Sequence, residues 1–225
     1  RFGFLADSLD FAVEGRNVLL TTHSGYRLTP IFKRNTREQY RGGDLLWTGS
    51  PDFHRGGSSY RNLPGNAWHN HFLPGYTAAF GPNWVNVSVY DVKANKATEL
   101  FERPVLIQTL YYPAYEPDTL NGTPVLRTHY LVSAYDEDTN GDKIISDRDL
   151  RRLYAFDLTG GQAQRLLPAD LYVLSCTYDP TNDYLYVYAR RDENGNGQME
   201  IEESRVTYWI DLNDPREREL VYAEE

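Results

Sequence analysis

An all-β fold of antiparallel four-stranded repeat units is what this sequence predicts, and three observations predict it. A stretch of strand, acidic loop and strand occurs twice near the C-terminal end at a constant offset of 54 (130 to 184, 138 to 192, 157 to 211). Repeats of that length mark stacked or radially arranged modules. Aromatic residues are abundant, with 18 Tyr, 9 Phe and 4 Trp, and tyrosine-rich, β-branched runs favour strands. From Trp84 onward apolar and polar residues alternate, as they do on a half-buried sheet.

The chain has 225 residues, enough for one large domain or two small ones with a sizeable core. Residues 1–84 are the irregular part and are expected to pack on the same domain. Asn17 to Thr22 reads as a strand and Leu45 to Thr48 as a second. Gly49 to Gly65 is rich in Gly, Ser and Pro and reads as a long loop of the kind that often carries function. Residues 85–225 carry the repeated β units, over about 85–125, 126–170 and 171–225.

In this second part Val85, Val87 and Val89 alternate with Asn86, Ser88 and Tyr90, which predicts a half-buried strand. Ala97 to Phe101 returns after a polar turn. Each of the two paired units then offers four runs. They are Val105 to Tyr112 or Leu171 to Tyr178; a Tyr-Leu run at 130 or 184; a run after the acidic loop ending Phe156-Asp157-Leu158 or Ile210-Asp211-Leu212; and a closing run at Leu166-Leu167 or Leu220 to Tyr222. Four antiparallel strands repeated at this spacing suggest propeller blades. Three or four blades, an incomplete propeller and a β-sandwich all remain open.

The acidic loops are the candidate chemistry. Calcium takes six to eight oxygen ligands, and a twelve-residue loop supplies them from positions 1, 3, 5, 7, 9 and 12. The second loop matches D-x-[DN]-x-[DN]-G-x5-E at every specified place. Asp192, Asn194, Asn196, the Gln198 carbonyl, Glu200 and Glu203 take the ligand places, and Gly197 takes position 6. In the first loop the repeat assigns Asp138, Asn140, Asp142, the Ile144 carbonyl, Ser146 and Asp149. Lys143 then stands where glycine is expected, in a conformation that costs a side-chain-bearing residue about 1–2 kcal/mol. A rival register from Asp136 to Asp147 puts Gly141 at position 6 but charged Lys143 at position 8. The first register is preferred because it places Ile145 there, opposite Met199 of the other loop. Two solvated acidic turns are the alternative, since Asp, Asn and Gly are common in any hairpin loop.

Both loops resemble the EF-hand loop, and the first is most similar to its dockerin variety. The resemblance implies two calcium sites. It covers about a dozen residues per copy, and strand-like runs stand where an entering helix would, so a helix-opening switch is not implied. Tyr178-Asp179-Pro180-Thr-Asn-Asp-Tyr184-Leu185-Tyr186-Val187-Tyr188, followed by Tyr208-Trp-Ile-Asp211-Leu212, resembles the blades of TolB-like propellers. That resemblance implies that each calcium loop is inserted in the hairpin between the second and third strands of a blade.

Other signals are weaker. His69-Asn-His71 would place two rings on one side of a strand, with His23, His54 or an acid as a third ligand; polar or stacking roles between Trp68 and Phe72 are the alternative. Trp47, Trp68, Trp84 and Tyr60 could line a ligand groove or fill the core. Asn86-Val-Ser88 and Asn121-Gly-Thr123 match the glycosylation sequon. Lone Cys176, in an apolar run, excludes an intrachain disulfide and reads as a buried strand thiol. The sequence contains no G-x-S-x-G elbow, P-loop or G-x-G-x-x-G.

A net charge of −9 without a basic stripe makes the chain a poor nucleic-acid binder. No apolar run approaches 18 residues, so no transmembrane segment is expected. Low-affinity calcium loops suit calcium-rich compartments, and the chain starts at Arg1 rather than methionine. The calcium argument points to an exported protein, periplasmic, cell-surface or secreted; the start at Arg1 fits a removed leader and fits equally well a sequence taken from within a longer chain. The expected function is binding or scaffolding of a protein or carbohydrate ligand, with calcium structural. The alternative is a carbohydrate-active hydrolase with structural calcium, which would need two carboxylates about 5–10 Å apart in one pocket.

Overall fold

The computed structural model describes residues 3–6, 11–34, 47–49, 73–161 and 163–224, with no side-chain description for 47–49. These residues form strands, turns and loops, and none is helical. The strands in chain order are β1 (Gly3–Leu5), β2 (Val13–Gly15), β3 (Leu19–Leu20), β4 (Tyr26–Lys33), β5 (Trp47–Gly49), β6 (Tyr76–Phe80), β7 (Trp84–Asp91), β8 (Lys96–Glu99), β9 (Leu106–Pro113) and β10 (Asp118–Leu120). There follow β11 (Thr123–Val125), β12 (His129–Tyr135), β13 (Ile144–Ser146), β14 (Arg152–Asp157), β15 (Gln164–Arg165), β16 (Leu171–Asp179), β17 (Tyr184–Arg191), β18 (Arg205–Asp211) and β19 (Arg218–Ala223). The all-β, antiparallel expectation holds: every described strand pair is antiparallel. Among the described residues no helix is long and apolar enough to cross a membrane, which says nothing of a strand-built barrel.

Three larger sheets are stacked. One has the path β2-β4-β7-β8 with β3 also on β4; the middle one runs β15-β14-β12-β9-β6-β5; the third is the meander β16-β17-β18-β19. Two clusters explain the stacking. Leu28, Phe32, Trp84, Val87 and Val89 of the first sheet pack on Leu110, Tyr130, Val132 and Phe156 of the middle one. Leu131, Leu153 and Ala155 on the other face of the middle sheet pack on Leu171, Val173, Leu185, Val187 and Ile210 of the third. The middle sheet is therefore covered on both faces, so β12 is buried without alternation from Tyr130 to Tyr135, Ser133 included.

Three details differ from the sequence reading. The middle sheet has six strands because β6 and β5 extend it beyond β9. The strand expected over Asn17 to Thr22 is only Leu19–Leu20, while the long strand nearby is Tyr26–Lys33. Finally, the offset of 54 does not survive in the pairing: Tyr130 faces Phe156, whereas its counterpart Tyr184 faces Asp211 rather than Ile210. Both segments are still strand, loop and strand.

The single cysteine is buried, and burial pushes its thiol pKa well up. Trp84 is also a core residue, stacked on Phe32 at 5.7 Å with its indole N–H given to the Asn86 carbonyl at 2.7 Å. Asn86 itself is 2% exposed and holds the Phe101 backbone, so this sequon lies inside the fold; Asn121 is exposed in the β10–β11 turn.

Candidate metal centre

The two acidic loops leave the ends of β12 and β17 and return as β14 and β18, and a hydrogen bond between them puts both at the same end of the two sheets. Their backbones are organised alike. Positions 4 and 6 are left-handed in both, at Gly141 (φ 73) and Lys143 (φ 67) in the first and at Gly195 (φ 68) and Gly197 (φ 67) in the second. The lysine takes the conformation that glycine takes in its partner, as the preferred register expects.

Five hydrogen bonds recur at matched places. The N–H of position 5 donates to the position-3 amide oxygen, Asp142 to Asn140 and Asn196 to Asn194, both at 2.9 Å. The N–H of position 6 donates to the first carboxylate, Lys143 to Asp138 at 2.8 Å and Gly197 to Asp192 at 3.1 Å. The N–H of position 7 donates to position 5, Ile144 to Asp142 at 2.9 Å and Gln198 to Asn196 at 2.8 Å. The N–H groups of positions 2 and 9 close on the last carboxylate. Thr139 and Ser146 give theirs to Asp149, both at 2.8 Å, and Glu193 and Glu200 give theirs to Glu203 at 3.2 and 3.4 Å. A loop that turns its N–H groups onto its own side-chain oxygens leaves its carbonyls and remaining lone pairs free to face a cation.

The last carboxylates are the least ordinary groups. Asp149 is 0% exposed and Glu203 is 4% exposed, and no Lys or Arg among the described residues lies within ion-pair distance of either. Burial raises the Asp149 carboxyl pKa, and the donors from Ser146, Thr139 and Asn140 offset only part of that. The two carboxylates are held by equal numbers of donors. Asp149 meets three N–H groups, those of Thr139 and Asn140 on Oδ1 and that of Ser146 on Oδ2. Glu203 meets three, including the hydroxyl of Tyr172 at 2.6 Å. In the second loop, Asp192 also keeps one buried carboxylate oxygen without a partner. Glu200, at position 9, accepts from the side-chain amides of Asn194 and Asn196 at 2.7 and 2.8 Å.

The loops also touch. The Thr139 hydroxyl donates to the Gly197 carbonyl at 2.7 Å and receives the Leu150 N–H at 2.9 Å. A Cβ on residue 197 would stand 1.8 Å from the Thr139 carbonyl oxygen. Between the loops lies an open cleft of about 450 Å³ lined by Asn140, Asp142, Asp147, Arg148, Gln198 and Met199. Sequence reasoning missed Thr139 and Tyr172. Thr139 sits at a loop position that carries no ligand, and Tyr172 comes from β16, outside the pattern.

The donors at the ligand places are carboxylate, amide, hydroxyl and carbonyl oxygens, a set suited to a hard cation such as calcium and not to zinc or copper. Among the described residues no three His, Cys, Asp or Glu side chains gather into an ion-holding group by themselves. His69 and His71, His54, Trp68, Tyr60 and the Gly49 to Gly65 loop, except Gly49, lie outside the described residues. His23 is engaged elsewhere, its Nε2 2.6 Å from the Arg127 carbonyl oxygen.

Lys143 offers a direct test of the loop conformation. Lys143→Gly removes the left-handed strain but adds freedom to the unfolded chain. The expected net gain is about 0.5–1 kcal/mol in calcium-free protein, read as a rise of the melting point by a few degrees. Lys143→Ala, which keeps the strain, should show no such gain.

No family model matches the chain, and no curated protein matches it. Among solved structures, an oligogalacturonate lyase in complex with manganese is similar at 10% sequence identity with a TM-score of 0.36. The alignment covers 93% of this chain, which spans 42% of the length of that one. A likeness this slight carries no argument about fold or chemistry.

Proposed function

We propose that this chain is an exported, calcium-binding, β-propeller-like protein with a binding or scaffolding role, in which calcium is structural. The observation that carries the reading is the duplication of one loop framework. Two loops 54 residues apart share five hydrogen bonds from backbone N–H to side-chain oxygen and end in a buried carboxylate without a cationic partner among the described residues. Buried charge without a partner is costly, and a divalent cation held by the loop oxygens relieves it. The EF-hand likeness of the loops supports calcium. The propeller-like reading rests on the four-stranded meander β16-β17-β18-β19 and on β9-β12-β14-β15 in the middle sheet, which succeed one another along the chain. Export is proposed from the fit of low-affinity calcium loops to calcium-rich compartments.

Calcium titration by calorimetry tests the reading. Two sites are expected, neither tighter than micromolar, the second loop being the better prepared because Asp192 keeps a buried carboxylate oxygen without a hydrogen-bond partner. Asp138→Ala and Asp192→Ala should each remove one site. If both variants keep two sites, neither aspartate is a ligand and the assignment fails.

A further inference from the structure

β13 belongs to the first acidic loop, and its two edges face different partners. On the inner edge, the Ile144 N–H is given to Asp142 at 2.9 Å and the Ser146 N–H to Asp149 at 2.8 Å. N–H and C=O of one residue point the same way in an antiparallel strand, so the Ile144 carbonyl also faces the loop interior. On the outer edge, β1 pairs in the register Gly3 to Ser146, Phe4 to Ile145 and Leu5 to Ile144, and the Ala6 N–H reaches the Lys143 carbonyl at 2.9 Å. By the alternation of the ladder, Phe4 and Ile145 form the next hydrogen-bonded pair.

The β1 strand is fastened by side chains as well. Phe4 is 4% exposed and packs with Val85, Leu106, Tyr135 and Ile145, and its ring lies 5.2 Å from that of Phe11. Gly3 is needed for the close approach, since a Cβ there would meet the Ile145 carbonyl oxygen at 2.7 Å. Three residues of β13 thus present a proposed calcium ligand, the Ile144 carbonyl, and the Ser146 N–H that holds Asp149 on one edge, and the docking site of the N-terminal strand on the other.

We propose that the N-terminal strand is a calcium-linked latch: filling the first loop fixes β13 and so locks Gly3–Leu5 onto it, and undocking the strand weakens that site. The inference rests on the calcium reading above. Linkage makes the effect reciprocal, because two ligands of one element must alter each other's affinity by the same factor.

Amide exchange measured by NMR on the whole chain, with calcium and with chelator, tests it. The Phe4, Ala6 and Ile145 amides are expected to exchange about tenfold slower or more with calcium. Phe4→Ala and Gly3→Ala should each weaken the first site by about fivefold in calorimetry and leave the second within about twofold. Gly3→Ala leaves the apolar cluster intact should Phe4→Ala fail to fold, and the exchange measurement needs no variant. If both sites fill while these amides exchange at the chelator rate, or if Gly3→Ala binds calcium as the wild type does, the latch is wrong and the calcium sites stand. If calcorimetric titration finds no calcium bound at all, the calcium reading falls and takes the latch with it.

Discussion

Arg127→Met is expected to destabilise the protein by about 3–5 kcal/mol, the cost of leaving one member of a buried ion pair alone. The guanidinium side chain has no exposed surface and holds Asp183 through two parallel hydrogen bonds of 2.7 and 2.8 Å. Its Nε gives to the Pro74 carbonyl at 2.8 Å, and its Cζ lies 5.2 Å from the centre of the Tyr76 ring. Asp183, in the turn before β17, also accepts from Tyr178 at 2.9 Å and from Asn213 at 3.1 Å. One arginine therefore joins the entry to β6, the entry to β12 and the turn of the third sheet. A loss of that size corresponds to a fall in melting point on the order of 10 °C for a chain of this length. Arg127→Met with Asp183→Leu should recover part of it, because the stranded carboxylate is then gone. A single variant that melts within 2 °C of wild type would show that the pair contributes little.

Calcium in excess over chelator is expected to raise the melting point by about 5–10 °C. A ligand that binds only the folded form at ten times its Kd stabilises by about 1.4 kcal/mol per site, or nearly 3 for two, and each kcal/mol moves the midpoint by roughly 2–4 °C. Far-ultraviolet circular dichroism should hardly change at 25 °C, since the strands of the three larger sheets pack on one another and only the short β1 and β13 depend on a loop. The rise should shrink with acidification. The Asp149 carboxyl is raised by burial, so the calcium-free fold holds that proton more firmly than the unfolded chain does. The stability from this group is present below the unfolded pKa and is lost as pH rises through the folded one. Proton and calcium compete for the same carboxylate, and calcium is worth most where the proton has left. A melting point indifferent to calcium at neutral pH would remove the structural-metal proposal.

The long strands after Trp84 were legible because their code is local: alternating valines, tyrosine-rich runs and acidic turns between them; the three-residue strands β10, β11 and β13 were not, being too short to show a period. The loop backbone was legible too, down to the left-handed residue at position 143, because an internal copy served as a template. β4 was not read, although Leu28, Pro30 and Phe32 alternate inward, because Pro30 inside the run argues against a strand. The one-residue difference in pairing between the two hairpins is invisible to a sequence offset, which counts residues along the chain and not across a ladder. The roles of Thr139, Tyr172 and Arg127 depend on which elements the fold brings together, and no local pattern encodes that.

The contact between Thr139 and residue 197 gives the duplication a direction. Position 143 tolerates a lysine at the expense of its own backbone, and glycine could return there freely. Position 197 cannot follow: any side chain would collide with the neighbouring copy before its own backbone mattered. The two loops share a framework but are not interchangeable parts. A chimera carrying the first loop twice would set a lysine at position 197 and should be pried open at the seam between the loops.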